Sequence, residues 1–444
     1  MDNRLAYIDQ ASFIGLRALA RRPLVQCTWI YERAADIDRL YRFHGNLEYG
    51  LLGRRIERSP LPFARHRWVA SGGPQDIDIA GTPRPRSGVS AWADERACLP
   101  IDPELGPSWH LGVLPLEDNG TAVTLVVSHI VADGLGTCLA IADAVGGTHR
   151  DFGYPPPGSR THGRALLQDS WQTARAVPEM ARALIGAVRV ARRNRQHLAS
   201  SIASVPRSPL AAGGEAAGLV PALTAYIDLS EWDARVKSLD GTSNSLFAGF
   251  ASRLGARMGR TCAEGMVTLS IPVSDRTEND SRGNALTSAV VTVDPTHVTS
   301  SLSDIRAKIK QTLVGLAEKP NELLTPLPLT PMMPKRLVRR VEGVALGTND
   351  LPIGCSNLGE VDPAVNRPDG TDADYFSVRL IDPSIKQSSL ERVGGRLFVG
   401  SGRVHGKVFI TVLGYRVGGE NSKNVLHELV SRTLDDFTLS AVID

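Results

Sequence analysis

Apolar residues are spaced along the chain in two rhythms, short β-branched runs and longer stretches of helical period, and their alternation predicts an α/β architecture. The strongest run holds Val123, Leu125, Val126 and Val127 and reads as a buried strand. Gly134 and Gly136 end it, and a new period at Leu135, Leu139, Ile141 and Ala142 opens a helix. Upstream, residues 109–116 predict a partner strand, and the favoured turn pair Asn119-Gly120 joins the two as a hairpin. Residues 25–31 predict an earlier strand, followed by a helical pattern from Asp36 through Ile37, Leu40, Tyr41 and Phe43. Residues 71–108 are rich in Gly, Pro and Asp and are expected to loop across the surface.

Pro155, Pro156 and Pro157 mark the exit from a first core. A helical stretch is expected from about Arg164 to Leu198, broken at Pro178, with Arg175, Arg182 and Arg189 recurring every seven residues and Met180, Leu184 and Val188 on another face. Such a helix reads first as a core-covering element with a solvated basic face, with docking on a lipid surface or an acidic carrier protein as the alternative. Residues 199–219 read as a linker. Beyond it come a strand at 223–229, a helix opened by Ser230 and Asp233, a second helix from Thr242, strands at 266–274 and 286–293, and a helix at 301–318. A hairpin near 397–413 and a closing helix at 421–437 follow. The expected division is 1–160, a basic helix and linker at 161–219, and 220–444.

Composition narrows the class. At 42% hydrophobic and 22% charged, with a formal charge of +3, the chain is an ordinary globular one with no electrostatic call for nucleic acid. Cys27, Cys98, Cys138, Cys262 and Cys355 are odd in number and lack paired spacing, which argues against a disulfide framework or a structural zinc site. No apolar signal core opens the chain and no stretch is long enough to span a bilayer, so the expectation is a cytoplasmic protein, at most peripheral to a membrane. No metal is expected.

The candidate chemistry sits where the best strand ends. His129 there can be held by the sheet yet face a cavity, Asp133 can fold back to fix the imidazole or its loop, and the Gly134 amide lies near the unpaired donors of a helix start, placed to meet a developing oxyanion. His110, on the partner strand, is read as structural.

The His129-x-x-x-Asp133-Gly134 stretch resembles the HxxxDG motif of the chloramphenicol-acetyltransferase-like acyltransferases, which include nonribosomal condensation domains, polyketide-associated acyltransferases and wax ester synthase/diacylglycerol acyltransferases. Further stretches match in order. Asp9-x-x-x-Phe13 resembles the opening of the wax ester synthase type; Pro272-Val-Ser-x-Arg276, followed by Gly283-Asn284, resembles the segment that brings an arginine to the motif aspartate; and Ser356-Asn357-x-Gly359 resembles a strand end near the acyl channel. Thr242-x-Asn244 resembles another helix start, with Ser245 where Asp is usual, and Ser128 stands where many relatives carry a first histidine.

The resemblance implies two chloramphenicol-acetyltransferase-like domains forming a pseudo-dimer, with His129 at an interface tunnel. It implies His129, Asp133 and Gly134 as catalytic positions, an Asp133–Arg276 ion pair that is structural, and Ser128, Asn284, Ser356 and Asn357 along the substrate channel. It implies no resident cofactor, and acyl-CoA or a carrier-protein phosphopantetheinyl thioester as co-substrate. A lipophilic alcohol, whether long-chain, glycolipid or polyketide, is the expected acceptor, reached through a tunnel lined by apolar side chains; amide formation is the alternative, and a non-catalytic binding module a further one. Two other enzyme classes fit less well: a dinucleotide fold would want Gly or Ala at Leu139, and a nucleophile elbow would want Gly at Leu358.

Overall fold

A computed structural model of the chain describes residues 2–73, 76–193, 218–318, 324–333 and 351–444. In chain order its strands are β1 (Leu24–Tyr31), β2 (Arg54–Glu57), β3 (Arg67–Ala70), β4 (Asp78–Ile79), β5 (Trp109–Pro115), β6 (Thr121–Ser128) and β7 (Ala222–Asp228). They continue as β8 (Val267–Ser274), β9 (Leu286–Val293), β10 (Ile353–Glu360), β11 (Tyr375–Ile381), β12 (Arg396–Val404), β13 (Lys407–Tyr415) and β14 (Val442–Ile443).

One sheet has the order β11-β1-β6-β5-β4 and the other β14-β7-β13-β12-β10-β8-β9, with β2 and β3 paired apart. β5 and β6 form the expected antiparallel hairpin, and Asn119 takes the left-handed conformation its turn demands (φ 63°). All eight residues of β6 are buried. The reason is cover on both faces: Val123, Leu125 and Val127 share a core with Leu40, Phe43 and Ile141, while Ala122 packs with Trp92 and Ala93. In the second sheet, Val267, Leu269, Val399 and Ile410 pack under Phe250 and Leu254 of helix Ser243–Arg257, Ile305 of helix Ser303–Glu318 and Val430 of helix Lys423–Asp436.

One strand crosses between the halves: β11, from the C-terminal one, pairs antiparallel with β1, from Leu24 opposite Ile381 to Ile30 opposite Tyr375. Trp29 of β1, fully buried, donates its indole N–H to Val365 O at 2.8 Å, a second bond between the halves. Several expectations are corrected. The Gly- and Pro-rich segment 71–108 contains a helix, Val89–Cys98, because Val89, Trp92, Ala93 and Ala97 recur on one face and bury there. Helix His162–Arg193 runs on through Pro178. The helix after β7 is capped by Asp228, whose carboxylate accepts from Ser230 N and Glu231 N, rather than by Ser230. The linker expected at 199–219 lies outside the described residues except for Gly218 and Leu219.

Candidate active site

β6 delivers the chain to a tight turn. His129 N donates to Pro23 O at 3.0 Å, Val131 N and Ala132 N turn back to Ser128 O, and helix Gly134–Gly146 starts at once. The half-buried His129 side chain lines a cavity of about 370 Å³ between the two sheets. Val25, Val378 and Leu380 come to it from the first sheet, and Ser270, Pro272, Gly354 and Phe398 from the second.

Asp133, 3% exposed, caps the helix: Oδ1 accepts from Gly136 N at 2.7 Å, while Oδ2 accepts from Arg276 Nη2 at 2.8 Å and from Ala285 N at 2.9 Å. Arg276 also donates to Gly283 O and Arg282 O, each at 3.0 Å. The carboxylate is thus spent on holding the turn and the 283–285 loop together, each oxygen taken up by the guanidinium or a backbone amide. Gly134 opens the helix and lines the cavity beside His129, with Leu358 as its near neighbour.

A further carboxylate and a guanidinium join this centre, and sequence reading gave neither a role in it. Asp9, fully buried, accepts from Gly283 N at 2.9 Å and Asn284 N at 2.8 Å. Burial pushes its pKa up, against the pull of Arg54 and of those amides. Arg54, also fully buried, donates to Val131 O at 2.8 Å, to Tyr154 Oη at 2.7 Å and to Ser281 O, with its guanidinium 3.9 Å from the Trp68 ring centre. The turn that carries His129 is therefore clamped to the 281–285 loop from two sides. Gly283 permits this approach, since a Cβ there would lie 2.4 Å from Ile130 O. For Asp9 the sequence did hold a signal: a carboxylate spaced four residues from each of two core residues, Leu5 and Phe13.

Two residues assigned to the channel stand elsewhere. Ser128 is buried against a separate small recess formed with Arg17, Arg22 and Ile130, because a strand's last side chain points opposite to its neighbour. Asn284 is buried off the cavity, its amide donating to His129 O at 3.3 Å, so it positions the histidine's backbone. Ser356 and Asn357 do line the cavity, and Asn357 Nδ2 donates to Asn244 Oδ1 at 3.3 Å. Nor is the lining purely apolar. Ser270, Ser274, Ser288, Ser356 and Ser401 place hydroxyls along the second sheet's wall, with the Ser270 and Ser288 hydroxyls 3.2 Å apart. His110 is structural: it is buried, its Nε2 pairs with Arg96 O at 2.9 Å, and burial lowers its pKa to about 4. Among the described residues no cluster of three or more His, Cys, Asp or Glu side chains is arranged to hold a metal ion.

Two sheets meeting over a cavity, with an imidazole at the end of one strand, define the two-domain chloramphenicol-acetyltransferase-like fold. Three solved structures share it over nearly their whole length. The chain is similar to the first condensation domain of the CDA synthetase (13% identity, TM-score 0.57, covering 100% of this chain and 99% of that one). It is similar to the TRI3 trichothecene 15-O-acetyltransferase from Fusarium sporotrichioides (11%, 0.57, 98% and 94%). It is also similar to the wax ester synthase/diacylglycerol acyltransferase from Marinobacter aquaeolei VT8 (14%, 0.53, 98% and 98%). No family model and no curated protein matches the sequence.

Proposed function

We propose that this chain is an acyltransferase that moves an acyl group from a thioester to an acceptor hydroxyl, with His129 as general base. The observation that carries the proposal is the imidazole of His129 in the intersheet cavity, on a turn held by the Asp133–Arg276 pair and beside a helix start. The fold it shares with a wax ester synthase, an O-acetyltransferase and condensation domains supports a transferase of this general kind.

In the proposed reaction the neutral imidazole takes the acceptor O–H proton as the oxygen attacks the thioester carbonyl. The resulting oxyanion faces the amide end of helix Gly134–Gly146, where unpaired donors and the helix dipole favour negative charge. Collapse breaks the C–S bond, and the imidazolium returns the proton to the departing thiolate, giving ester and free thiol without an acyl-enzyme. The donor is acyl-CoA or a carrier-protein thioester. A cavity of about 370 Å³ with serine hydroxyls on one wall suits a lipophilic acceptor bearing polar substituents, such as a polyketide or glycolipid hydroxyl, better than a plain alkyl chain. The same hydroxyls favour a second reading, amide formation on a polar amine acceptor.

The test is intact-mass product analysis with acyl-CoA of several chain lengths, and with a carrier-protein-bound acyl thioester, against paired alcohol and amine acceptors, for wild type and His129→Ala. Ester formation lowered about 10²–10⁴-fold in kcat by His129→Ala supports the reading. Amide without ester moves the assignment to the second reading; a trapped acyl-enzyme, or no turnover with CoA or carrier-bound donors, overturns it.

A further inference from the structure

Helix His162–Arg193 is the longest in the protein among the described residues, and its outward side is unlike an ordinary solvated face. Ala165, Asp169, Met180 and Ala183 bury toward the body of the protein. On the opposite side Leu167 is 76% exposed, Trp171 57%, Val177 53%, Leu184 54% and Ile185 58%, a strip covering about 140° of the helix circumference at about 100° per residue. Arg164, Arg175, Arg182 and Arg189 are exposed too, and by the same rotation all fall within an arc of about 40° that borders the strip. The Arg175 guanidinium lies 3.6 Å from the Trp171 ring centre, at the seam between the two.

The acids of this helix do not neutralise that ridge. Asp169 is buried and bonded to Ser59, Arg67 and Arg160, and Glu179 accepts from Tyr7 Oη at 3.0 Å on the far side of the basic arc. A solvated helix does not need five large apolar side chains turned to water, and a buried one does not need four arginines that meet no carboxylate among the described residues. An anionic bilayer surface satisfies both, taking the apolar strip at the headgroup boundary and the arginines at the phosphates. No described helix is long and apolar enough to cross a membrane, so the helix would lie in the surface rather than span it.

We propose that the outer face of His162–Arg193 is an interfacial docking surface for anionic phospholipid membranes. The proposal is independent of the acyl-transfer reading. Its test is flotation of the full chain with vesicles of phosphatidylcholine alone or with one third phosphatidylglycerol, at low and high salt. Wild type is expected to float with the anionic vesicles at low salt, to be released by high salt, and to bind phosphatidylcholine alone weakly. Arg175→Gln/Arg182→Gln/Arg189→Gln lowers the partition about a hundredfold, and Leu184→Ser/Ile185→Ser lowers it on both vesicle types. Wild-type Trp fluorescence shifts to the blue on binding, and Trp171→Phe removes the shift; circular dichroism checks that each variant is folded. Absence of vesicle binding overturns the proposal, as does binding indifferent to these substitutions. A dimer dissolved by Leu184→Ser/Ile185→Ser, or capture of an acidic carrier protein without vesicle binding, also overturns it and assigns the face to that partner.

Discussion

Asp133 and Arg276 stand 143 positions apart and meet as a buried ion pair, Oδ2 to Nη2 at 2.8 Å, with their side chains 5% and 7% exposed. The pair joins the turn that carries His129 to the loop that leaves β8, so the histidine's position depends on both halves of the chain. Removing one partner strands a buried charge. Arg276→Gln is expected to cost about 3–5 kcal/mol of stability. Asp133→Asn keeps one acceptor oxygen but strands the Arg276 charge, and is expected to cost a similar amount. In the double variant the two costs are less than additive, as a double-mutant cycle by urea denaturation would show. Strict additivity would mean that the two groups are not coupled.

The close approach of loop 281–285 to the turn depends on a missing side chain. A Cβ at position 283 would lie 2.4 Å from Ile130 O and 3.1 Å from Val131 O, both backbone atoms of the turn. Gly283→Ala is therefore expected to lower stability by about 1–3 kcal/mol and to cut turnover more than the loss of folded protein explains, because the clash displaces the backbone next to His129. Thermal melting paired with kcat per folded protein, the folded fraction read by circular dichroism, separates the two effects. Wild-type behaviour in both would refute the close approach.

His66 and His110 predict the acid limb of the stability curve. Burial holds both pKa values at about 4, against 6.5 for the exposed ring. His66 Nδ1 accepts from Ser59 N at 3.3 Å, so protonating that nitrogen breaks a bond; His110 Nε2 already donates to Arg96 O, and its Nδ1 has no partner for a new proton. Folded-state values below the unfolded ones mean that the stabilisation is complete above pH 6.5 and declines as the pH falls toward 4. Each ring contributes up to about 3 kcal/mol of that decline. His110→Gln should flatten the slope of stability against pH between 6.5 and 4, measured by chemical denaturation at a series of pH values. An unchanged slope would mean that the ring is protonated in the folded protein.

What could be read from the chain in advance follows physical locality. The β5–β6 hairpin and the start of helix Gly134–Gly146 were legible because a turn pair, an apolar run and a capping carboxylate lie within a few residues of one another. The same holds for the capping box of Thr242 and Ser245, where serine replaces the expected aspartate and still returns its hydroxyl to Thr242 N at 2.7 Å. Arg276 was reachable only through a resemblance, since nothing local pairs it with Asp133. The Asp9 contact with Gly283 spans 274 positions, and the pairing of β11 with β1 crosses the whole protein, so no local pattern encodes either. Ser128 and Asn284 entered the channel through the resemblance alone: the alternation of β6 turns Ser128, its last residue, away from the cavity, and Asn284 lies in the loop before β9, where no alternation sets a direction.

The acceptor is expected to be selected by the wall opposite His129. Ser356 lies on β10, part-buried and lining the cavity, with Gly354 and Gly400 as lining neighbours. Ser356→Phe adds an aromatic ring to a cavity of about 370 Å³ and leaves His129, Asp133 and Arg276 themselves unaltered. Bulky acceptors should then lose kcat/KM by about 10–100-fold, chiefly through KM, while the smallest alcohols lose little. His129→Ala, in contrast, should depress all acceptors alike through kcat, because the proton transfer is common to them. Steady-state kinetics over a graded series of alcohols checks the contrast. A uniform loss with Ser356→Phe would place the acceptor path elsewhere, and a size-dependent loss with His129→Ala would remove the histidine from the chemistry and leave it as part of the wall.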